Sequence, residues 1–216
     1  MLEEMAAFFE NRLDGYDAHM LDHIHGAREF YPFTASCLSK MPDAHILDLG
    51  CGTGLELEWF FRENPTAAVT GIDLSEGMLD ELKRKFPNHA IKLLCGSYFD
   101  LPLGEKVYDA AVSVESLHHF TKEEKTGLYA KLHSALKDRG YLILTDYFAA
   151  SEEEEQSLRS ELLHQKAQQG VSEEASFHFD TPLTVQHEIE ALENAGFRNI
   201  RVLRSWGATS TIKAVK

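Results

Sequence analysis

Between residues 48 and 54 the chain reads Asp48-Leu49-Gly50-Cys51-Gly52-Thr53-Gly54, a run that few folds accommodate. The apolar stretch His45-Ile46-Leu47-Asp48-Leu49 leads into it. Leu55, Leu57, Trp59, Phe60 and Phe61 follow it and supply the apolar faces of a helix. Glycine accepts positive φ and carries no Cβ to hold a ligand away. The helix beyond presents free N–H groups and the positive end of its dipole to that ligand. A strand, a glycine loop and a helix in this order open a βαβ unit.

The alternation recurs. Strands are predicted at 68–72, 91–94, 108–114 and 141–146, with helices from about Ser75 and from about Lys122 to Leu136, the latter stopped by Gly140. Such regularity implies a parallel sheet covered on both faces. The first forty residues read as helices punctuated by Gly15 and Gly26. A helix with an acidic start is expected over 151–169, and a polar and aromatic stretch then ends at Phe177-His178-Phe179-Asp180. A further helix, Thr184–Asn194, stops at Ala195-Gly196. Two last strands, 199–205 and 210–215, flank Trp206-Gly207 and should form an antiparallel hairpin at the sheet edge. The expected fold is α/β, a Rossmann-like three-layer αβα sandwich. Its seven-stranded, mostly parallel sheet carries the antiparallel C-terminal hairpin and a helical cap. The 216 residues make one domain: an N-terminal helical cap (1–40), a cofactor-binding core (41–150), a lid insertion (151–180) and a closing helix and hairpin (181–216).

Two acids narrow the ligand. The third glycine comes one residue sooner than in the dinucleotide fingerprint. Asp48 closes the strand before the loop, where a buried carboxylate is repelled by a pyrophosphate but stabilised by an ammonium group. Asp73 ends the second strand, at the usual distance for the acid that accepts hydrogen bonds from a ribose diol. The plain helix cap that Asp73 could otherwise provide is available from Ser75. The loop therefore suits a nucleoside with an amino-acid end.

Taken together, Ile46–Gly54, Gly71-Ile72-Asp73-Leu74-Ser75 with Met78, Tyr108–Ser113 with Leu117-His118-His119, and Gly140–Leu144 resemble the class I S-adenosylmethionine-dependent methyltransferases, specifically their small type 11, 12 and 25 members. The resemblance covers residues 40–148 and, more loosely through Ala195-Gly196-Phe197, residues 180–216. It implies S-adenosyl-L-methionine as cofactor. Asp48 and the loop residues Gly50, Cys51, Gly52 and Gly54 would hold its methionyl end, and Asp73 its ribose. Leu74 and Met78 would pack on the adenine. Gly96, Ser97 and Tyr98 follow the third strand, where relatives often place an aspartate against the adenine amino group. This chain has Ser97 there, with Asp100 nearby as a substitute. Glu115 would face the methyl-bearing centre, and Tyr16 resembles the tyrosine that many relatives fold over the carboxylate end.

Methyl transfer from a sulfonium is an in-line displacement. The cofactor supplies the electrophile, and the protein orients the acceptor and, where needed, removes its proton. His118 and His119 are the candidate catalytic residues; the alternative for either ring is a structural cap. His19 and His23, one helical turn apart, read as a polar helix face, and no metal is expected. Tyr147, Phe148, Phe177, His178 and Phe179 are candidate pocket walls.

The formal charge of −14, from 35 acidic and 21 basic residues, repels phosphate backbones, so nucleic acid is not an expected partner. No stretch approaches the roughly 20 apolar residues that span a bilayer, and the acidic N-terminus is no signal peptide. Cys37, Cys51 and Cys95 are sparse, which fits reduced thiols and a cytoplasmic address. The expected function is a transferase moving a methyl group to a small-molecule acceptor, with a homodimer left open. A non-catalytic or regulatory binder of the cofactor and a tRNA or protein methyltransferase are the alternatives; an NAD-dependent oxidoreductase is disfavoured by the loop spacing and Asp48.

Overall fold

The computed structural model describes residues 2–172 and 177–216, so residues 173–176 of the expected lid lie outside the described residues. Three helices come first: α1 (Met5–Glu10), α2 (Tyr16–His23) and α3 (Ala27–Ser36). Then follow β1 (His45–Leu49), α4 (Leu55–Glu63), β2 (Ala68–Asp73), α5 (Glu76–Lys85), β3 (Ala90–Cys95), β4 (Tyr108–Val114), α6 (Lys122–Ala135) and β5 (Leu136–Tyr147). The chain ends with α7 (Glu152–Gln169), α8 (Val185–Asn194), β6 (Arg198–Trp206) and β7 (Thr209–Val215).

Seven strands form one sheet in the order β3-β2-β1-β4-β5-β7-β6. β1 to β5 pair in parallel, and β7 runs antiparallel between β5 and β6. This is the Rossmann-like α/β architecture expected, with its antiparallel closing hairpin. The central strand β4 is buried along nearly its whole length, whereas the edge strand β3 is exposed or half-buried throughout. Side chains of β1 alternate between two layers. Ile46 packs with Phe30 of α3, Phe60 of α4 and Leu82 of α5, while Leu47 and Leu49 pack with Leu128 and Leu132 of α6 and Leu192 of α8.

Local chemistry sets the helix starts. Ser75 caps α5 by accepting from Met78 N–H, Thr121 and Glu124 form a reciprocal capping box on α6, and Thr184 caps α8. Four glutamates, Glu152 to Glu155, fill the first turn of α7, where the helix dipole favours negative charge. Between α6 and α8 lies a buried ion pair: Lys125 Nζ donates to Glu188 Oε2 at 2.6 Å, and the Tyr129 hydroxyl donates to the other Glu188 oxygen.

Gly15 and Gly26 punctuate the helical run as expected, each in the left-handed region (φ 79° and 81°) immediately before α2 and α3. One expectation changes in detail. β5 begins at Leu136, not after Gly140. Leu136 pairs with Tyr108, and the register then shifts, past Arg139 at φ 68°, before Tyr141 pairs with Ala110. An irregularity of this kind leaves no alternation in the sequence to read.

The carboxyl ends of the parallel strands are covered by the chain's first segment and by the residues that follow α7. Glu10 of α1 accepts from Ser75 Oγ at 2.6 Å and from Gly77 N–H at 3.2 Å, which seats α1 on the start of α5. Past α7, Phe177 bridges to Glu4, His178 N–H donates to Glu3 O at 3.0 Å, and Thr181 N–H donates to His118 O at 2.9 Å. Among the described residues no helix is long and apolar enough to cross a membrane.

Candidate active site

The glycine loop is pinned to β2: Gly50 and Cys51 N–H both donate to Ile72 O, at 2.9 and 3.1 Å. Gly50 has φ 71°, and a Cβ there would lie 2.0 Å from Ser116 Oγ, so only glycine lets the loop pass this close to the β4–α6 turn. Gly52 (φ 47°) faces open space, as a loop that receives a ligand must. Asp73, at the end of β2, braces the loop: one oxygen accepts from Gly52 N–H at 2.8 Å, the other from Ser75 N–H at 2.9 Å. Burial raises its carboxyl above the ordinary value, and the backbone donors oppose that rise.

Over the loop lies a cavity lined by Tyr16, Gly50, Gly52, Asp73, Leu74 and Met78, and by Tyr98, Glu115 and His119 opposite. Met5 and Phe9 of α1 cover it and leave about 60 Å³ of free space. Of the residues expected to bind the cofactor, Asp48, Cys51, Gly54, Gly96 and Ser97 do not line this cavity. Ser97 instead accepts from Phe99 N–H at 3.1 Å and holds the turn after β3. Gly96 N–H donates to Asp73 O at 2.8 Å.

Beneath the loop, Asp48 meets Glu56 of α4, a residue the sequence reading missed. Both side chains are almost wholly buried, and Asp48 Oδ2 and Glu56 Oε1 have no hydrogen-bond partner. Burial first, and the facing Glu56 carboxylate second, push the Asp48 carboxyl well above the usual range; burial raises Glu56 as well. Two such acids share a proton until a cation arrives. An ammonium group would relieve them, so the donor set fits the amino-acid end expected for the ligand. The sign of the linkage follows from the raised value. The folded, ligand-free chain keeps a proton that the unfolded chain gives up, so it loses stability as pH rises from the ordinary carboxyl range toward the raised one. Cofactor binding should therefore release a proton at neutral pH. Calorimetry in buffers of different ionisation enthalpy measures it, and Glu56→Gln should abolish it.

A second, larger cavity of about 790 Å³ adjoins the first. Phe9, Tyr16, Glu115 and His119 line both, so the two meet there. Its other walls include Arg12, His19, Tyr147, Asp180 and Trp206, together with His118 and His178. Phe148, Phe177 and Phe179 are not among them. Glu115, at φ 49°, is held by its N–H to Thr145 O at 2.8 Å and accepts from Thr209 Oγ1 at 3.1 Å. Burial, then Asp146, pushes its carboxyl up to about 7.

His118 is the most constrained side chain here. Its Nδ1 donates to Asp146 Oδ1 at 2.6 Å, and Asp146 is itself fixed by Leu117 and Tyr147 N–H groups, both at 2.9 Å. Burial opposes a charge on His118, but Asp146 outweighs it and holds the imidazolium to about 10. His119 goes the other way: burial and then the His118 charge lower it to about 3. Asp180 lies against both rings, 3.5 Å from His118 Nε2 and 3.4 Å from His119 Nδ1. The rings of His19 and His23 stack with centroids 5.0 Å apart. Among the described residues no three-ligand grouping includes either of them.

Known proteins similar to this chain include methyltransferases. A family described as a methyltransferase domain matches residues 46–140, from β1 into β5. The chain is 33% identical over 102 residues to a malonyl-[acyl-carrier protein] O-methyltransferase of Priestia megaterium, covering 47% of this chain but only 36% of that protein. It is 28% identical over 182 residues to a carboxy-S-adenosyl-L-methionine synthase of Nautilia profundicola, covering 79% of this chain and 76% of that one. Its fold matches that of human N-acetylserotonin methyltransferase in complex with SAM, with a TM-score of 0.63 at 20% identity over 98% of this chain and 55% of the other. The matched methyltransferase domain lies over the glycine loop, and along it the chain is similar to S-adenosylmethionine-dependent methyltransferases.

Proposed function

We propose that this chain transfers the methyl group of S-adenosylmethionine to a small-molecule acceptor bound in the 790 Å³ chamber. The observation that carries the reading is the junction of the two cavities at Tyr16, Glu115 and His119, where a donor over the loop would meet an acceptor in the chamber. Asp48 with Glu56 would hold the cofactor's ammonium group, Asp73 its ribose, and Leu74, Met78 and Tyr98 its adenine side. When bound, the cofactor supplies an electrophilic methyl group. The protein's part is to orient the acceptor and exclude water. The volume suits a molecule of drug-like size, within the range of about 300–1,000 Å³ usual for such pockets. Aromatic walls, Phe8, Phe9, Tyr147 and Trp206, favour a partly apolar one. His118 and His119 meet the acceptor, and the free thiols Cys37, Cys51 and Cys95 support a cytoplasmic setting.

The test is production of the demethylated cofactor across a panel of hydroxyl, amine, thiol and carboxylate acceptors. His118→Asn and His119→Gln should each lower turnover about 10²–10⁴-fold, the usual worth of a positioned proton-transfer group, while the calorimetric affinity for S-adenosylmethionine holds. Unchanged turnover in both variants would remove the histidines from the reaction.

A second reading has the cofactor itself modified. It is favoured by the match along three quarters of both chains to the relative named as a carboxy-S-adenosyl-L-methionine synthase. Mass spectrometry separates the two, since acceptor methylation leaves a lighter cofactor and carboxylation a heavier one.

A further inference from the structure

The histidine pair gains a more specific role from its geometry. We infer that His118 Nε2, His119 Nδ1 and the Asp180 carboxylate form a binding site for one divalent transition-metal ion of the zinc class, with its open coordination position facing the acceptor chamber. One ligand atom from each residue lies within 4.8 Å of the others. Asp180 Oδ1 stands 3.5 Å from His118 Nε2 and 3.4 Å from His119 Nδ1. Zinc–nitrogen and zinc–oxygen bonds of about 2.0–2.1 Å in a tetrahedron put neighbouring ligands about 3.3–3.4 Å apart. The two separations from Asp180 therefore match a tetrahedral site, and the third, between the two imidazoles, lies within 4.8 Å. Two imidazoles and one carboxylate are a donor set for zinc, cobalt, nickel or iron(II) and a poor one for magnesium or calcium.

The surroundings support this. Asp146 takes the Nδ1 proton of His118 at 2.6 Å, which fixes the ring, and the ion would take the place of the Nε2 proton that the imidazolium carries. A carboxylate behind a histidine is the usual orienting partner of a metal-bound imidazole. Ligation by His119 requires its Nε2–H tautomer and gives up a 3.2 Å contact from Nδ1 to Phe179 O. A second grouping, Glu115 with His118 and Asp146, is the weaker candidate because Asp146 already serves His118 and two backbone N–H groups. Three protein ligands leave a fourth position for an acceptor oxygen, which the ion would hold and polarise for methylation. This role rests on the proposed acceptor chamber, whereas binding of the ion does not.

The experiment uses the full chain, stripped with a chelator and then titrated with Zn²⁺ alone by calorimetry and with Co²⁺ alone by visible absorption. One equivalent should bind, and cobalt should give the intense bands of a four-coordinate site. Asp180→Asn, on a half-exposed side chain, and His119→Gln should each weaken binding by more than about 100-fold, beyond the 10–100-fold that loss of an orienting partner costs. His23→Ala should leave it unchanged. Absence of stoichiometric binding, or unchanged affinity in either ligand variant, overturns the site. Titration of Asp180→Asn with S-adenosylmethionine shows whether that variant is folded. Turnover separates the two readings, because a chain that forms the demethylated product without a metal overturns the ion's part in methylation and leaves the proposed function standing.

Discussion

Asp73→Ala should weaken S-adenosylmethionine binding at least about a hundredfold. Each carboxylate oxygen of Asp73 accepts one backbone N–H, from Gly52 or Ser75, and keeps a lone pair aimed at the cofactor cavity that it lines. Two ribose hydroxyls can donate to those lone pairs. Hydrogen bonds to a charged group are worth about 1.5–3 kcal/mol each, so losing two removes about 3–6 kcal/mol, and each 1.4 kcal/mol is a factor of about ten. The alanine also leaves Gly52 N–H without its acceptor and loosens the loop. Calorimetry with the cofactor and its demethylated product should show parallel losses, because both carry the same ribose. Asp73→Asn, which keeps one acceptor oxygen, should lose less. Wild-type affinity in the alanine variant would place the ribose elsewhere.

The largest effect on stability should come from a residue far from the cofactor. Lys125→Met leaves the Glu188 carboxylate in the core between α6 and α8 with the Tyr129 hydroxyl as its remaining side-chain donor. Breaking one partner of a buried pair costs about 3–5 kcal/mol, because the other charge stays uncompensated. The urea midpoint should fall while the slope of the transition is kept. Combining Lys125→Met with Glu188→Leu and Tyr129→Phe should recover most of the loss, since an apolar cluster needs no counter-charge. A single variant as stable as the parent would mean that water reaches the pair.

What could be read from the sequence was what the backbone imposes. Gly50 and Gly52 need left-handed φ, Asp73 closes a strand after the loop, and the βα alternation fixes a parallel sheet; each leaves a mark in residue type or spacing. What could not be read depends on packing between distant segments. Glu56 looks like one more acid in a helix start beside Glu58, and only the approach of α4 to β1 sets it against Asp48. Asp180 lies about sixty residues from His118 and His119, and no periodicity announces that the segment after α7 returns to them. Ser97 took its adenine role from resemblance, whereas its hydroxyl holds a turn. Met5 and Phe9 read as one apolar face of a short helix, and nothing local shows that they roof the cofactor cavity.

That roof ties the two cavities to one element. Glu10 seats α1 on Ser75 and Gly77, Met5 and Phe9 of the same helix cover the smaller cavity, and Phe8 and Phe9 wall the larger one. Under the proposed function, any shift of α1 would change the space for donor and acceptor together.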